Sequence, residues 1–371
     1  MKKILFIVSE DWFFRSHFRA FPQRARQDGY EVVIAGRRSG AMDGENVRVI
    51  DVPFARGGFG LGAIARQLPK LQAIVDAERP DIIHPFSLKS IALTMMLKAR
   101  GAGRAFALTG RGYLALSSAP AWAKLIGWCF RHMLRHELSK PRTVLIVENL
   151  ADRRWVEGRR ALSDDRVVLM PGAGVEPSLY LPTPEPVHPP IIVGVVARLI
   201  RSKGVDVAVD AVVRLRKKGF NIVLRVAGQS DPENPEFVTD GELSRWRASD
   251  GVELVGQIKD VSLFWSGVQI ACVPSRGGEG LPRTLLEAAA CGRPVVTTDA
   301  PGCGEVVSDG AGLVVAHDNV EALAAGLSKL ATDHALRQRF GKAARALIEL
   351  KYTSQHAAEE AAKAWALLKR P

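Results

Sequence analysis

Residues 275–288 read SRGGEGLPRTLLEA, a glycine-rich turn that leads from an apolar run at 270–273 into a predicted helix. The stretch places two carboxylates, Glu279 and Glu287, eight positions apart, so both can address one elongated ligand. Unpaired backbone N–H groups at the start of a helix attract anions such as phosphate. Carboxylates accept hydrogen bonds from hydroxyl groups but repel phosphate. The stretch therefore predicts a sugar-nucleotide site, with a sugar at one end and a ribose at the other.

Both halves of the chain alternate short apolar runs with segments of helical periodicity. Predicted strands lie at 4–9, 31–35, 47–52, 81–84, 105–109 and 143–147, and then at 191–197, 222–227, 252–255, 270–273 and 295–298. Predicted helices include 61–77, 88–99 and 205–218. Strands that alternate with helices are typical of doubly wound α/β domains.

Proline density divides the two halves. Six prolines between positions 177 and 190 indicate an extended linker, and a length of 371 residues favours two domains. The sequence predicts a first domain at 1–186, a second at 187–352 and a C-terminal helix within 353–371. In such sheets ligands bind outside the carboxyl ends of the strands, so a cleft between the domains is expected.

Several motifs resemble those of family 4 retaining glycosyltransferases, whose GT-B fold has two Rossmann-like, doubly wound domains facing across a cleft. Residues 279–296 resemble the family's Glu-x7-Glu signature, and VARLIRSKG at 196–204 resembles its diphosphate clamp. PGAGVE at 171–176 is similar to its inter-domain segment. DWFFRSH at 11–17 and TGRGY at 109–113 narrow the resemblance to bacterial members that build polysaccharide or glycan units on lipid-diphosphate carriers.

The resemblance implies roles for the residues of the glycine-rich turn. Glu279 would contact the donor sugar near the anomeric phosphate, and Glu287 would bind the ribose hydroxyls. The remaining donor-binding residues would hold the departing diphosphate through backbone amides: Gly277, Gly278, Gly280 and Leu281. The resemblance also implies that the C-terminal helix crosses back over the first domain.

Two cations complete the predicted catalytic set. Arg198 ends a strand and Lys203 follows a short turn, so both can project from the carboxyl edge of a sheet and neutralise a departing diphosphate. The alternative is a pair of surface cations. The chain has no Asp-x-Asp and no dense set of metal-ligating residues. The prediction is metal-independent catalysis without a cofactor, the UDP-sugar being a co-substrate.

Acceptor contacts are expected in the first domain. Asp11, His17, Arg111 and Tyr113 follow the ends of predicted strands there. The alternative for a single histidine or tyrosine is a packed, hydrogen-bonded structural residue.

Positive charge is concentrated in the first half of the chain. Residues 1–186 contain 28 Lys and Arg and 18 Asp and Glu, a net charge of +10 out of the chain's +12. WAKLIGWCFRHMLRHEL at 122–138 mixes aromatic and basic residues, as in helices that lie in a membrane interface. The alternative is an amphipathic helix packed on the first sheet.

No nucleic-acid module is recognisable. The N-terminal apolar run is too short for a signal peptide, so a cytoplasmic protein, peripheral on the inner face of the membrane, is expected.

These features predict a retaining hexosyltransferase. It would move a hexose or N-acetylhexosamine from a UDP-sugar to a lipid-diphosphate-linked or polysaccharide acceptor. The alternatives are a UDP-sugar epimerase of the same architecture and a non-catalytic basic binding protein. The first strand leads into Ser9 and Glu10 without a GxGxxG motif, which disfavours a nicotinamide dehydrogenase.

Overall fold

A computed structural model of the protein describes residues 1–54, 61–99, 101–112, 120–187, 189–307 and 310–369. The chain forms two compact units. Unit 1 comprises Met1–Gly174, Glu279–Leu281 and Ser354–Pro371, and unit 2 comprises Val175–Gly278 and Pro282–Thr353.

Unit 1 contains a parallel sheet of seven strands in the order β3-β2-β1-β4-β5-β6-β7. Its elements are β1 (Lys2–Glu10), α1 (Asp11–Phe18), α2 (Ala20–Gln27), β2 (Tyr30–Arg37), β3 (Arg48–Asp51), α3 (Leu61–Glu78), β4 (Ile82–Pro85), α4 (Ser87–Met96), β5 (Gly103–Leu108), α5 (Ala121–Leu138), β6 (Thr143–Val147), α6 (Leu150–Glu157) and β7 (Val167–Leu169).

Unit 2 contains a parallel sheet of six strands in the order β10-β9-β8-β11-β12-β13. Its elements are β8 (Ile191–Val196), α7 (Val205–Lys217), β9 (Ile222–Ala227), α8 (Asp240–Ala248), β10 (Val252–Gly256), α9 (Val261–Ser266), β11 (Ile270–Val273), α10 (Arg283–Ala290), β12 (Val295–Thr298), β13 (Gly312–Val315), α11 (Val320–Thr332) and α12 (His334–Lys351). The last helix, α13 (Ser354–Leu367), belongs to unit 1.

The two sheets follow from the apolar runs, because a strand covered by helices on both faces is apolar along its whole length. β6 and β11 are buried at every position. The predicted α/β class with two doubly wound sheets is therefore confirmed. β7 and β13 were not predicted, since each is a short edge strand without a long apolar run. In each sheet the strand order reverses once, between β1 and β4 and between β8 and β11.

The proline-rich segment packs on unit 2, so the units divide after Gly174 and not at the expected position 186. The Gln269 amide donates to the Pro186 carbonyl at 3.0 Å, and Arg337 donates to the Glu185 carboxylate at 2.8 Å. These contacts attach the proline-rich segment to unit 2. In unit 1, α13 buries Trp365, whose indole N–H donates to His84 Nδ1 at 3.0 Å.

Candidate functional site

The point in unit 2 where the strand order reverses carries the two predicted cations. Arg198 lies just beyond the end of β8, with its side chain 62% exposed and its guanidinium 3.5 Å from the Asp231 carboxylate. Lys203 is half-buried at the end of the 3-10 turn Arg201–Lys203. Ligands of open α/β sheets bind at such a reversal, outside the carboxyl ends of the strands. Both cations therefore lie where an anionic ligand would bind.

Electrostatics make Lys203 sensitive to such a ligand. Desolvation and, to a smaller extent, the nearby positive charge of Arg198 lower the pKa of Lys203 to about 7. Cys303 and Glu236 act in the opposite direction. An anion next to the ammonium group would raise its pKa, because an opposite charge favours the ionised form.

Arg276 ties the turn after β8 to the loop after β11. Its backbone N–H donates to the Ser202 carbonyl at 2.8 Å, and its guanidinium donates to both carboxylate oxygens of Asp206 at 2.8 Å each. Gly277 and Gly278 follow with φ angles of +114° and +86°, in the region that side chains disfavour. Arg276 therefore fixes the start of the glycine-rich loop, and the backbone conformation at Gly277 and Gly278 requires glycine.

Glu287 lies on α10 and is buried. The Tyr180 hydroxyl donates to Oε1 of Glu287 at 2.9 Å, and Arg283 Nε lies 3.0 Å from the same oxygen. Burial raises the pKa of Glu287, whereas Arg283 and the Tyr180 hydrogen bond lower it. These two protein partners offset part of the cost of burying the carboxylate, since its pKa stays raised. The ribose contact of Glu287 stays a prediction.

The short segment Glu279–Leu281 packs with unit 1. Glu279 is half-buried. The Gly280 carbonyl accepts a hydrogen bond from the Asn149 side-chain amide at 2.7 Å, and the Leu281 N–H donates to Oε2 of Glu148 at 2.9 Å. The Leu281 amide, predicted to hold a phosphate, thus has a carboxyl group as its partner in this structure.

A buried polar network extends from this segment into unit 1. Asn149 accepts the Asp152 N–H at 2.7 Å as the N-cap of α6, and its amide lies 3.1 Å from the Asp152 carboxylate. Arg111 donates to the other oxygen of Asp152 at 2.7 Å and lies over the Trp155 ring. Arg111, predicted to contact the acceptor, is therefore part of a network that ends at Gly280.

Sequence reasoning missed Glu148, Asn149 and Tyr180. For the first two a signal exists, since they follow the fully buried strand β6, and residues just after a parallel strand lie at the ligand-binding edge of the sheet.

The other predicted acceptor residues lie after β1. Asp11 is fully buried, and each of its carboxylate oxygens lies 3.0 Å from the Ser39 N–H. His17 Nδ1 lies 2.6 Å from the Ser16 hydroxyl and 3.2 Å from the Phe13 carbonyl. The Asp11 carboxylate therefore has a protein partner in this structure. Tyr113 lies outside the described residues, and the acceptor roles stay predictions.

In the described ranges of the chain, no cluster of three or more His, Cys, Asp or Glu side chains is arranged to hold a metal ion. The four cysteines are free thiols, and Cys129 is the exposed one among them.

One face of α5 is exposed and apolar. Trp122, Leu125 and Trp128 are exposed to 59%, 61% and 53%, and Ile126 and Met133 extend the same surface. Arg135 in the same helix donates to the Val156 carbonyl at 2.9 Å and the Arg160 carbonyl at 3.0 Å. Among the helices in the described ranges, none is long and apolar enough to cross a bilayer.

Both halves of the chain match glycosyltransferase family models: residues 3–148 match glycosyl transferase 4-like, and residues 190–333 match glycosyl transferases group 1. The capsular polysaccharide biosynthesis glycosyltransferase CapM of Staphylococcus aureus is 28% identical over 170 residues, which cover 46% of this chain and 44% of CapM. The amylovoran biosynthesis glycosyltransferase AmsK of Erwinia amylovora is 31% identical over 196 residues, covering 50% and 47%. The chain spans about half the length of these two relatives.

The solved structure of Anabaena HepE in complex with UDP-glucose has the same fold, with a TM-score of 0.78 over 99% of this chain and 100% of HepE. The two sequences are 16% identical, so this likeness shows the fold alone. The chain forms two doubly wound units, and each half of the chain matches one of the two family models. The chain therefore belongs to the group 1, family 4-like glycosyltransferases and has the GT-B fold.

Proposed function

We propose that the protein is a retaining glycosyltransferase of polysaccharide biosynthesis. It transfers a hexose or N-acetylhexosamine from a UDP-sugar to a lipid-diphosphate-linked or polysaccharide acceptor. The observation that carries the proposal is the pair Arg198 and Lys203 at the strand reversal of unit 2. The names of the polysaccharide glycosyltransferases CapM and AmsK support the pathway class, and the UDP-glucose complex of HepE supports the donor class.

In this proposal the two cations stabilise the leaving group. A departing UDP gains negative charge as the bond from its phosphate to the sugar breaks, and preorganised cations stabilise that charge. Arg198 offers an exposed guanidinium, and Lys203 offers an ammonium group that binding of a diphosphate keeps protonated. The charge compensation that a metal ion provides in other transferases then comes from side chains.

The proposed reaction is a front-side substitution. The bond between the anomeric carbon and the phosphate oxygen breaks to give an oxocarbenium-like species, which the acceptor hydroxyl attacks from the same face. The hydroxyl proton passes to the departing phosphate oxygen, so no further co-reactant is required. Glu279 stabilises the positive charge on the sugar, and Glu287 binds the ribose. The anomeric configuration of the donor is retained.

Incubation with labelled UDP-glucose, UDP-galactose or UDP-N-acetylglucosamine and a lipid-diphosphate acceptor tests the proposal. Transfer of label to the lipid from one of the donors is the expected outcome. A UDP-sugar epimerised without transfer would identify an epimerase instead. No turnover with any donor would favour a non-catalytic binding protein.

We also propose that the protein lies on the inner face of the cell membrane, bound through α5. Its exposed apolar face carries two tryptophans, and its surface includes Lys124 and Arg131, a composition that suits an anionic membrane interface.

The protein is therefore expected to co-sediment with anionic but not neutral liposomes. Salt at 0.1 M should weaken binding, because it screens surface charges beyond about 10 Å. Replacing Trp122 and Trp128 with Ser and Lys124 and Arg131 with Gln should abolish co-sedimentation, while Arg135 is kept because it binds backbone carbonyls. A matched control replaces two exposed lysines of unit 2, Lys217 and Lys218, with Gln. Unchanged liposome binding by the α5 variant would refute membrane docking through this helix.

A further inference from the structure

We propose that Glu148 and Asn149 are positioning residues that hold the backbone of Gly280 and Leu281 and thereby fix the Glu279 carboxylate for sugar transfer. The inference rests on the proposed function, in which Glu279 acts on the donor sugar. It adds two residues outside the sequence motifs of the glycine-rich turn.

The first contact is made by Glu148. Its carboxyl group is buried and accepts the Leu281 N–H at 2.9 Å. It also packs directly against Gly280, because a Cβ at that position would lie 2.0 Å from Oε2 and 2.7 Å from Cδ of Glu148. Only glycine leaves room for the carboxyl group, so the backbone of the segment and the Glu148 side chain fit each other at van der Waals distance.

The second contact is made by Asn149, which is fully buried. Its side-chain amide donates to the Gly280 carbonyl at 2.7 Å. Its side-chain oxygen accepts the Asp152 N–H at 2.7 Å, which fixes the side chain at the start of α6. Two consecutive residues at the end of β6 thus hold two successive residues that follow Glu279.

The protonation state of Glu148 suits a neutral holding group. Burial raises the pKa of Glu148 to about 8, although the Leu281 hydrogen bond lowers it. The neighbouring charged groups are the Asp152 carboxylate, which also raises the pKa of Glu148, and Arg111, which pairs with Asp152. At neutral pH the group is an uncharged carboxyl, and glutamine has nearly the same shape and hydrogen-bonding capacity.

The inference is tested by measuring kcat and donor KM for Glu148→Ala and Glu148→Gln at pH 7. We expect Glu148→Ala to lower kcat about tenfold, the equivalent of one buried hydrogen bond, with a smaller change in KM. Glu148→Gln should restore kcat to near the wild-type value. The control is Glu137→Ala, which removes a buried carboxylate of unit 1 that pairs with Arg104 at 2.5 Å, away from this segment. It should lower the melting temperature and leave kcat unchanged.

Asn149→Ser provides a second variant in case Glu148→Ala does not fold. Serine preserves the N-cap of α6 but is too short to reach the Gly280 carbonyl, so a fall in kcat of about tenfold is again expected. Wild-type kcat in either folded variant, or a fall equal to that of Glu137→Ala, overturns the positioning role. A wild-type protein that transfers no sugar overturns the proposed function itself, which distinguishes the two failures.

Discussion

Glu279→Gln is expected to lower kcat by at least about 10²-fold while donor KM changes little, as for loss of a group that acts mainly in the transition state. Glutamine keeps the shape and hydrogen-bonding capacity of the side chain and removes the negative charge that stabilises the oxocarbenium-like sugar. Initial rates at saturating donor and acceptor measure the effect.

The control is Glu321→Gln, which removes an exposed carboxylate, 65% accessible, that pairs with Arg214 on the surface of unit 2. This variant should retain wild-type kcat. Near-normal turnover by Glu279→Gln would remove Glu279 from the catalytic set.

Lys203→Met is expected to weaken UDP binding by about 5- to 150-fold, the range for loss of one charge-assisted contact of about 1–3 kcal/mol. In the wild-type protein UDP affinity should also fall as pH rises from 7 to 9. The free Lys203 side chain loses its proton above its pKa of about 7, whereas the bound diphosphate requires the charged form. The variant should show no such fall. Calorimetric titration with UDP measures both effects, above the phosphate pKa of about 6.

Lys203→Met is expected to raise folding stability at pH 7, although it weakens UDP binding. The pKa of Lys203 is lower in the folded protein than its ordinary value of 10.5, so charging this side chain opposes folding. This cost is fully present below pH 7 and disappears as pH rises towards 10.5. Lys203→Met should therefore melt at a higher temperature than wild type at pH 7, with the difference shrinking at higher pH.

Arg198→Ala is the matched variant, since its exposed guanidinium should contribute to UDP affinity and little to stability. A Lys203→Met protein that loses stability and keeps UDP affinity would make Lys203 a structural residue.

The sequence predicts most strands and the two-sheet architecture because buried parallel strands have unbroken apolar runs. It also predicts that Arg198 and Lys203 lie together, since both follow β8 within a few residues. The domain boundary could not be placed from proline density alone. Contacts such as that of Arg337 with Glu185, 152 residues apart in sequence, attach the proline-rich segment to unit 2.

Glu148 and Tyr180 were missed for the same physical reason, because each contacts a residue far away in the sequence. Glu148 meets Leu281 across 133 positions and Tyr180 meets Glu287 across 107, and neither pair shares a local pattern. Asp11 shows the opposite limit. Its position after β1 is typical of a ligand contact, but the sequence does not show that its carboxylate also accepts the Ser39 N–H beyond the end of β2.

The stereochemistry of the first-formed product shows whether the sugar is transferred with retention and without a metal ion. Proton NMR can follow the reaction of an α-configured UDP-sugar with a lipid-diphosphate-linked acceptor in the presence of excess EDTA. We expect an α-linked product that forms at the same rate with and without EDTA. A β-linked product, or transfer that stops with EDTA and resumes when Mg²⁺ or Mn²⁺ is added, would contradict retention by a mechanism in which Arg198 and Lys203 replace the metal.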